Sequence, residues 1–351
     1  MTRGDIGLTA AGALLLGILV APGAPRLAIA ASSCEIDRAD RIVAVGDVHG
    51  AYDRLVQILQ TAGVLDGSLR WSGGTTHLVQ VGDVLDRGPD SLKALDLLRK
   101  LEEEAPRAGG AVHVLLGNHE VMRMLGDLRY TVPAEYKAFV NARSDETRQG
   151  YLKPAPPQER DQLLKQTPLG LVEMRVAFGR QGTYGRWLRQ LNVVIKINGV
   201  LFVHGGISPV TAGLSCNDVN RTAQRELTGD EDKTRADPLH TLVASEGGPL
   251  WYRGLAQEPD TFEPQIDEIL AKEHVRAMVI GHTITPEGRI RVRFGGKVLQ
   301  IDTGMQPEYV EGGRASALEI QKDVLTAIYT DRRDVLVTRL AAPSSSVPVS
   351  R

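Results

Sequence analysis

The sequence predicts an α/β fold in which helices cover a β-sheet, and one pattern repeated three times carries that prediction. Ile42-Val43-Ala44-Val45 is a short apolar run, rich in β-branched residues, that ends in Gly46-Asp47. Leu55, Ile58, Leu59 and Ala62 follow at helical spacing. His77-Leu78-Val79-Gln80-Val81 ends in Gly82-Asp83, and Pro89 then opens a second helical stretch with Leu92, Leu95 and Leu98 on one face. Ala111 to Leu116 is a third strand, ending in Gly117-Asn118-His119. Three βα units in succession imply a sheet with helices packed on it.

The second half is strand-rich. Val193 to Ile197 and Val200 to Val203 flank Asn198-Gly199, a two-residue hairpin signal. Arg289 to Phe294 and Lys297 to Ile301 flank Gly295-Gly296 in the same way. Ala317 to Ile320, Leu325 to Tyr329 and Val335 to Thr338 read as a closing meander. Between the halves, residues 125–190 are polar and carry Pro154, Pro156 and Pro157; they read as a helical and loop insertion, or cap, within one catalytic domain spanning 41–340. The tail 341–351, with three serines and two prolines, reads as disordered.

The chain has 351 residues, 41 Lys and Arg against 43 Asp and Glu, and a formal net charge of −2. That balance excludes the electrostatic footprint of a nucleic-acid binder. The segment 6–20 carries no charge, with Arg3 ahead of it and Ala28-Ile29-Ala30 behind. It is short for a membrane span and fits the apolar region of a secretory signal over 1–30, with 31–40 as a linker. An uncleaved N-terminal anchor is the alternative; otherwise no stable membrane contact is expected. Export would place Cys34 and Cys216 in an oxidising compartment, where they pair, or remain one free and one buried thiol; the sequence leaves both open.

Chemistry concentrates where strands end. Gly46-Asp47-Val48-His49-Gly50, Gly82-Asp83-Val84-Leu85-Asp86-Arg87-Gly88 and Gly117-Asn118-His119-Glu120 each follow a strand, as do His204 and His282. In open α/β sheets such loops share one rim. The five fixed positions of the second motif alone recur by chance about once in 10⁶ start points. The pattern reads as a two-metal site. Asp47, His49, Asp83 and His282 would hold one ion; Asp83, Asn118 and His204 would hold the other, with Asp83 bridging. Mixed imidazole, carboxylate and carboxamide donors suit Mn, Fe or Zn. Paired ions of this kind clamp the attacking and leaving oxygens of a phosphoryl displacement. His119 is placed to act as general acid, with Asp86 orienting it. Arg87 offers a planar fork for phosphate oxygens, and Arg253 is a second candidate. His77 and His113 lie in or beside strands and read as non-ligands.

On these residues the chain resembles the calcineurin-like metallophosphoesterases of the phosphoprotein phosphatase type. Asp86-Arg87-Gly88, Gly117-Asn118-His119-Glu120 and Val203-His204-Gly205-Gly206 carry that resemblance. Glu120-Val121-Met122, Gly126-Asp127-Leu128-Arg129-Tyr130 and Trp251-Tyr252-Arg253-Gly254 resemble the bacterial Shewanella-like phosphatase branch. The resemblance implies a central β-sandwich flanked by helices, a dinuclear centre, and hydrolysis of phosphomonoesters on protein side chains. It carries Asp47, His49, Asp83, Asn118, His204 and His282 over as ligands, His119 as acid with Asp86 its partner, and Arg87 and Arg253 as phosphate clamps. Eukaryotic Ser/Thr phosphatases hold an aromatic over the site from a late loop; Ile301-Asp302-Thr303-Gly304 stands there instead, with no clear match. Substrates expected are a phosphorylated protein, on tyrosine or on serine and threonine, or, as the alternative, a small molecule hydrolysed by a dinucleoside polyphosphate hydrolase or an exported phosphate scavenger on the same fold. A non-catalytic binding module would have lost a ligand or the acid, and all are present.

Overall fold

The computed structural model describes residues 34–340; the expected signal segment 1–30 and tail 341–351 lie outside them. Among the described residues, twelve strands form two six-stranded mixed sheets. One has the order β12 (Arg333–Val337), β11 (Val324–Tyr329), β10 (Ser316–Gln321), β2 (Arg41–Val45), β3 (His77–Gln80) and β4 (Ala111–Val114). The other runs β1 (Glu35–Ile36), β5 (Val194–Ile197), β6 (Val200–Val203), β7 (Ala277–Ile280), β9 (Val298–Gln300) and β8 (Arg291–Arg293).

The alternation of side chains along a strand explains the layering. Ile42 and Ala44 of β2, Val79 of β3, Phe202 of β6, Val279 of β7 and Leu318 of β10 share one buried cluster between the sheets. Their neighbours Val43, Val45, Leu78, Leu201, Val203, Met278 and Ile280 point the other way, into a second cluster built with helices. Strands buried on both faces read as continuous apolar runs, which is why no alternation marks them. The helices are α1 (Tyr52–Thr61), α2 (Ser91–Glu104), α3 (Asn118–Leu125), α4 (Pro133–Lys137), α5 (Ser144–Leu152), α6 (Pro157–Gln166), α7 (Leu171–Phe178), α8 (Thr183–Leu188), α9 (Cys216–Thr228), α10 (Glu231–Ala236), α11 (Gly254–Gln257) and α12 (Glu263–Glu273). Leu55, Ile58 and Leu59 bury one face of α1, and Ala94, Leu95, Leu98 and Leu101 one face of α2.

Both expected hairpins form. Asn198 and Gly199 adopt φ of 52° and 71°, the left-handed pair that a tight two-residue turn requires. β8 and β9 pair antiparallel across Gly295-Gly296, and β10 to β12 make the closing meander. The stretch expected as a linker differs. Glu35–Ile36 adds to β5 as a parallel strand, and Cys34 beside it is disulfide-bonded to Cys216 at the start of α9. A two-residue strand carries no periodicity, so the pattern could not reveal it. The stretch 125–190 folds as five helices, α4 to α8.

Candidate metal centre and active site

The ends of β2, β3, β4, β6, β7 and β9 deliver Asp47, Asp83, Asn118, His204, His282 and Asp302 to one rim, all buried. Along these loops the backbone repeatedly enters the left-handed region. His49, Asp83, Asp86, Arg87 and His282 have φ of 48°, 56°, 68°, 67° and 63°. Each costs about 1–2 kcal/mol for a residue with a side chain, so tertiary bonds must hold them there. Val48 and His49 donate their N–H groups to the Asp83 carbonyl at 2.9 and 3.0 Å, tying the first loop to the second. Glu120 gathers four more. Its Oε2 accepts from Asp83 N and Gly117 N at 2.9 and 2.8 Å, and its Oε1 from Val84 N and Leu85 N at 2.9 and 3.2 Å. Glu120 therefore fixes the strained loop that carries Asp83. Gly117 is required at this junction, because a Cβ there would lie 2.2 Å from Asp83 Oδ1.

Asp83 is the centre of the arrangement. Its Oδ1 accepts the His119 N–H at the start of α3, 3.0 Å away. Its Oδ2 lies 3.2 Å from His204 Nε2, 3.7 Å from His49 Nε2 and 3.9 Å from His119 Nε2. His204 Nε2 is also 2.9 Å from Asn118 Oδ1, and His49 Nε2 is 3.9 Å from Asp47 Oδ2. The second nitrogen of each ring is spoken for: His49 Nδ1 bonds the Leu85 carbonyl at 2.8 Å and His204 Nδ1 the Val81 carbonyl at 3.0 Å. Those bonds fix the tautomer and leave both Nε2 atoms as electron-pair donors, the arrangement metal-binding histidines use.

His282 is placed differently from expectation. The sequence reading sets it beside Asp47 and His49, but possible ligand atoms of Asp83, His204 and His282 lie within 4.8 Å of one another. Both oxygens of Asp47 accept the His282 N–H, at 3.0 and 3.2 Å, and the ring stacks edge-on with His204 at 4.9 Å. His282 Nε2 is buried without a hydrogen-bond partner. The possible ligand atoms of His49, Asp83 and His119 also lie within 4.8 Å of one another. His119 is nonetheless set apart. Its Nδ1 bonds Asp86 Oδ2 at 2.8 Å, and a guanidinium nitrogen of Arg87 stands 3.3 Å from its Nε2. A fixed cation at that lone pair competes with a metal ion.

The donor set fits divalent cations. His204 Nε2, Asn118 Oδ1 and Asp83 Oδ2 crowd together although all three offer electron pairs, and His282 Nε2 is unpartnered. Burial, with Asp302 and Asp83 nearby, pushes the Asp47 carboxyl well above its ordinary range; burial also raises Asp302 to about 6. Burial lowers His49 to about 3, so the ring is neutral and ligand-competent. Asp83 is itself buried, yet His204 and His119 hold it below the usual carboxylate range. His119 is likewise buried, but Asp83 and Asp86 raise it above an ordinary histidine.

Arg87 lies with its guanidinium carbon 3.9 Å from the Tyr309 ring centroid and 5.2 Å from that of Tyr130. Tyr309 corrects an expectation: the late loop does set an aromatic at the site, seven positions past Asp302, where no motif marks it. Arg253 donates to the His282 carbonyl and to Thr283 Oγ1, both at 3.0 Å, so it borders the His282 side. Glu120, Asp302 and Tyr309 are site residues that spacing alone did not expose. The Glu of Gly-Asn-His-Glu was the one available signal.

A family model for calcineurin-like phosphoesterases matches residues 40–286. Shewanella-like protein phosphatase 2 of Arabidopsis thaliana is 30% identical over 321 residues, covering 84% of this chain and 78% of that protein. The crystal structure of the cold-active protein-tyrosine phosphatase of a psychrophilic Shewanella species superposes with a TM-score of 0.68 at 31% identity, covering 86% of this chain and 82% of the other. A symmetrical bis(5'-nucleosyl)-tetraphosphatase of Methylobacillus flagellatus is 25% identical over 277 residues, covering 78% of this chain and 77% of that protein. The chain belongs to the calcineurin-like phosphoesterases, hydrolases with a dinuclear metal centre, and within them groups with the Shewanella-like protein phosphatases.

Proposed function

We propose that the protein removes phosphate from phosphorylated protein side chains, phosphotyrosine first among them. The observation that carries this reading is the alignment of His119, Asp86 and Arg87 beside the Asp83-centred donor set. Asp47, His49 and Asp83 would hold one divalent ion, and Asp83, Asn118, His204 and His282 the other, with Mn, Fe or Zn suited to these donors. Such a pair supplies Lewis acidity toward the phosphate and makes a hydroxide nucleophile available at neutral pH.

The chain's own residues do the rest. Arg87, held between Tyr130 and Tyr309, presents its fork to the non-bridging oxygens, and Arg253 approaches from the His282 side. With Nδ1–H donated to Asp86, His119 has only Nε2 facing the site. Phosphate binding draws Arg87 onto oxygen and frees Nε2 to carry the proton that the departing phenolate takes. The aromatic pair beside Arg87, together with the similarity to the Shewanella protein-tyrosine phosphatase, supports an aryl ester. The Cys34–Cys216 disulfide supports an exported protein, with 1–30 as its signal.

The test compares kcat/KM on phosphotyrosine and phosphoserine peptides with that on diadenosine tetraphosphate, with and without chelator. A phosphotyrosine preference abolished by chelator is the expected result. A preference for the dinucleotide by orders of magnitude would replace this reading with the small-molecule one.

A further inference from the structure

The reaction uses one oxygen of Asp86. The other is held as firmly, by residues that touch no substrate. Asp86 Oδ1 accepts from an Arg123 guanidinium nitrogen at 2.5 Å and from Thr131 Oγ1 at 3.0 Å. Arg123 lies four residues after His119 on α3, so both side chains leave one face of that helix and meet opposite oxygens of a single carboxylate. The same Arg123 nitrogen donates to Glu135 Oε1 of α4 at 3.1 Å, and that oxygen also accepts the Asp86 N–H at 3.3 Å. Glu135 Oε2 takes the Val132 N–H at 3.2 Å. From α7, Met174 Sδ sits 3.2 Å from Arg123, and the Phe178 ring centroid 5.1 Å from its guanidinium carbon. Arg123 is 4% exposed, Glu135 3% and Asp86 1%.

A buried guanidinium caught between two carboxylates cannot swing away without stranding a charge. Such a network adds little stability over an apolar replacement, so its value lies in the geometry it imposes. We infer that Arg123 and Glu135 are positioning residues for proton donation. They lock the Asp86 carboxylate so that Oδ2 stays on His119 Nδ1, and this aims His119 Nε2 at the leaving oxygen. The segment 125–190 thereby serves the chemistry: α4 and α7 enclose the arginine, and Tyr130 accepts the Arg87 N–H at 3.0 Å. This inference rests on His119 being the general acid.

Leaving-group acidity separates positioning from plain structural support. Phenyl phosphate needs a proton donor, whereas 2,4-dinitrophenyl phosphate leaves without one. In the metal-loaded full chain, Arg123→Met should lower kcat on phenyl phosphate about 10–100-fold and on the dinitrophenyl ester less than about 3-fold. KM and metal content should stay at wild-type values, and Arg123→Lys should restore most of the loss. Equal losses on both esters overturn the inference. If Arg123→Met does not fold, Glu135→Gln and Thr131→Val carry the test, with a selective loss of about 3–10-fold expected. An unchanged ratio of the two rates in both variants overturns it as well. His119→Asn is run alongside. If its loss is unselective, the acid assignment itself fails; if only His119→Asn is selective, the assignment stands and Arg123 and Glu135 lose their role.

Discussion

Two groups of histidines sit at different places in the same sandwich, and only one gathers other potential metal ligands around it. His49, His204 and His282 follow strand ends, and carboxylates or a carboxamide converge on their ring nitrogens. His77 and His113 lie inside the adjacent strands β3 and β4. Their rings stack at 5.2 Å, and His77 Nδ1 bonds His113 Nε2 at 3.0 Å, one imidazole satisfying the other. Residue type is shared; placement differs. A histidine just past a strand's end faces the side chains of the other strand-end loops, whereas one within the ladder faces its neighbour.

Breaking the bridge of the first group should have the largest effect. Asp83→Asn keeps the shape but loses the shared negative oxygen, and should abolish turnover and weaken metal uptake, read by steady-state kinetics and metal analysis. His119→Asn comes next: metal content unchanged, kcat lower by about 10²–10⁴-fold. Away from the rim, Cys216→Ser should cost about 2–4 kcal/mol in denaturant unfolding, through a loop closed over 182 positions, while kcat stays constant. The smallest effect belongs to the second histidine group. Burial, aided by His77, lowers His113 from 6.5 to about 4. Protonation therefore favours the unfolded chain, and stability is lost as pH falls from about 6.5 toward about 4. His113→Phe should flatten that slope in unfolding curves and leave activity untouched; a fall in activity would break the contrast between the groups.

The sequence exposed the rim better than its supports, for a physical reason. Asp47, His49, Asp83, Asn118, His204 and His282 are legible as candidates because donor chemistry at a strand end is displayed by a few adjacent residues. The proximity of His282 to His204 and Asp83 is not readable, because it depends on tertiary contacts, among them the backbone bond to Asp47, 235 positions away. Glu135, Tyr309 and Asp302 act only through tertiary closure, and no local pattern announces it. Arg123 carries no local signal either, since its role follows from standing one helical turn after His119 while both side chains meet Asp86. The cysteine pair stayed open in the sequence because pairing depends on β1 docking beside β5, and two residues are too few to show a strand.

The shared role of Asp83 is tested most directly by metal analysis of the purified full-length chain beside its Asp83→Asn variant. About two divalent ions per wild-type chain, falling to one or fewer in the variant, is the predicted result. Equal metal content in both proteins, or no tightly held ion in the wild type, would contradict the account.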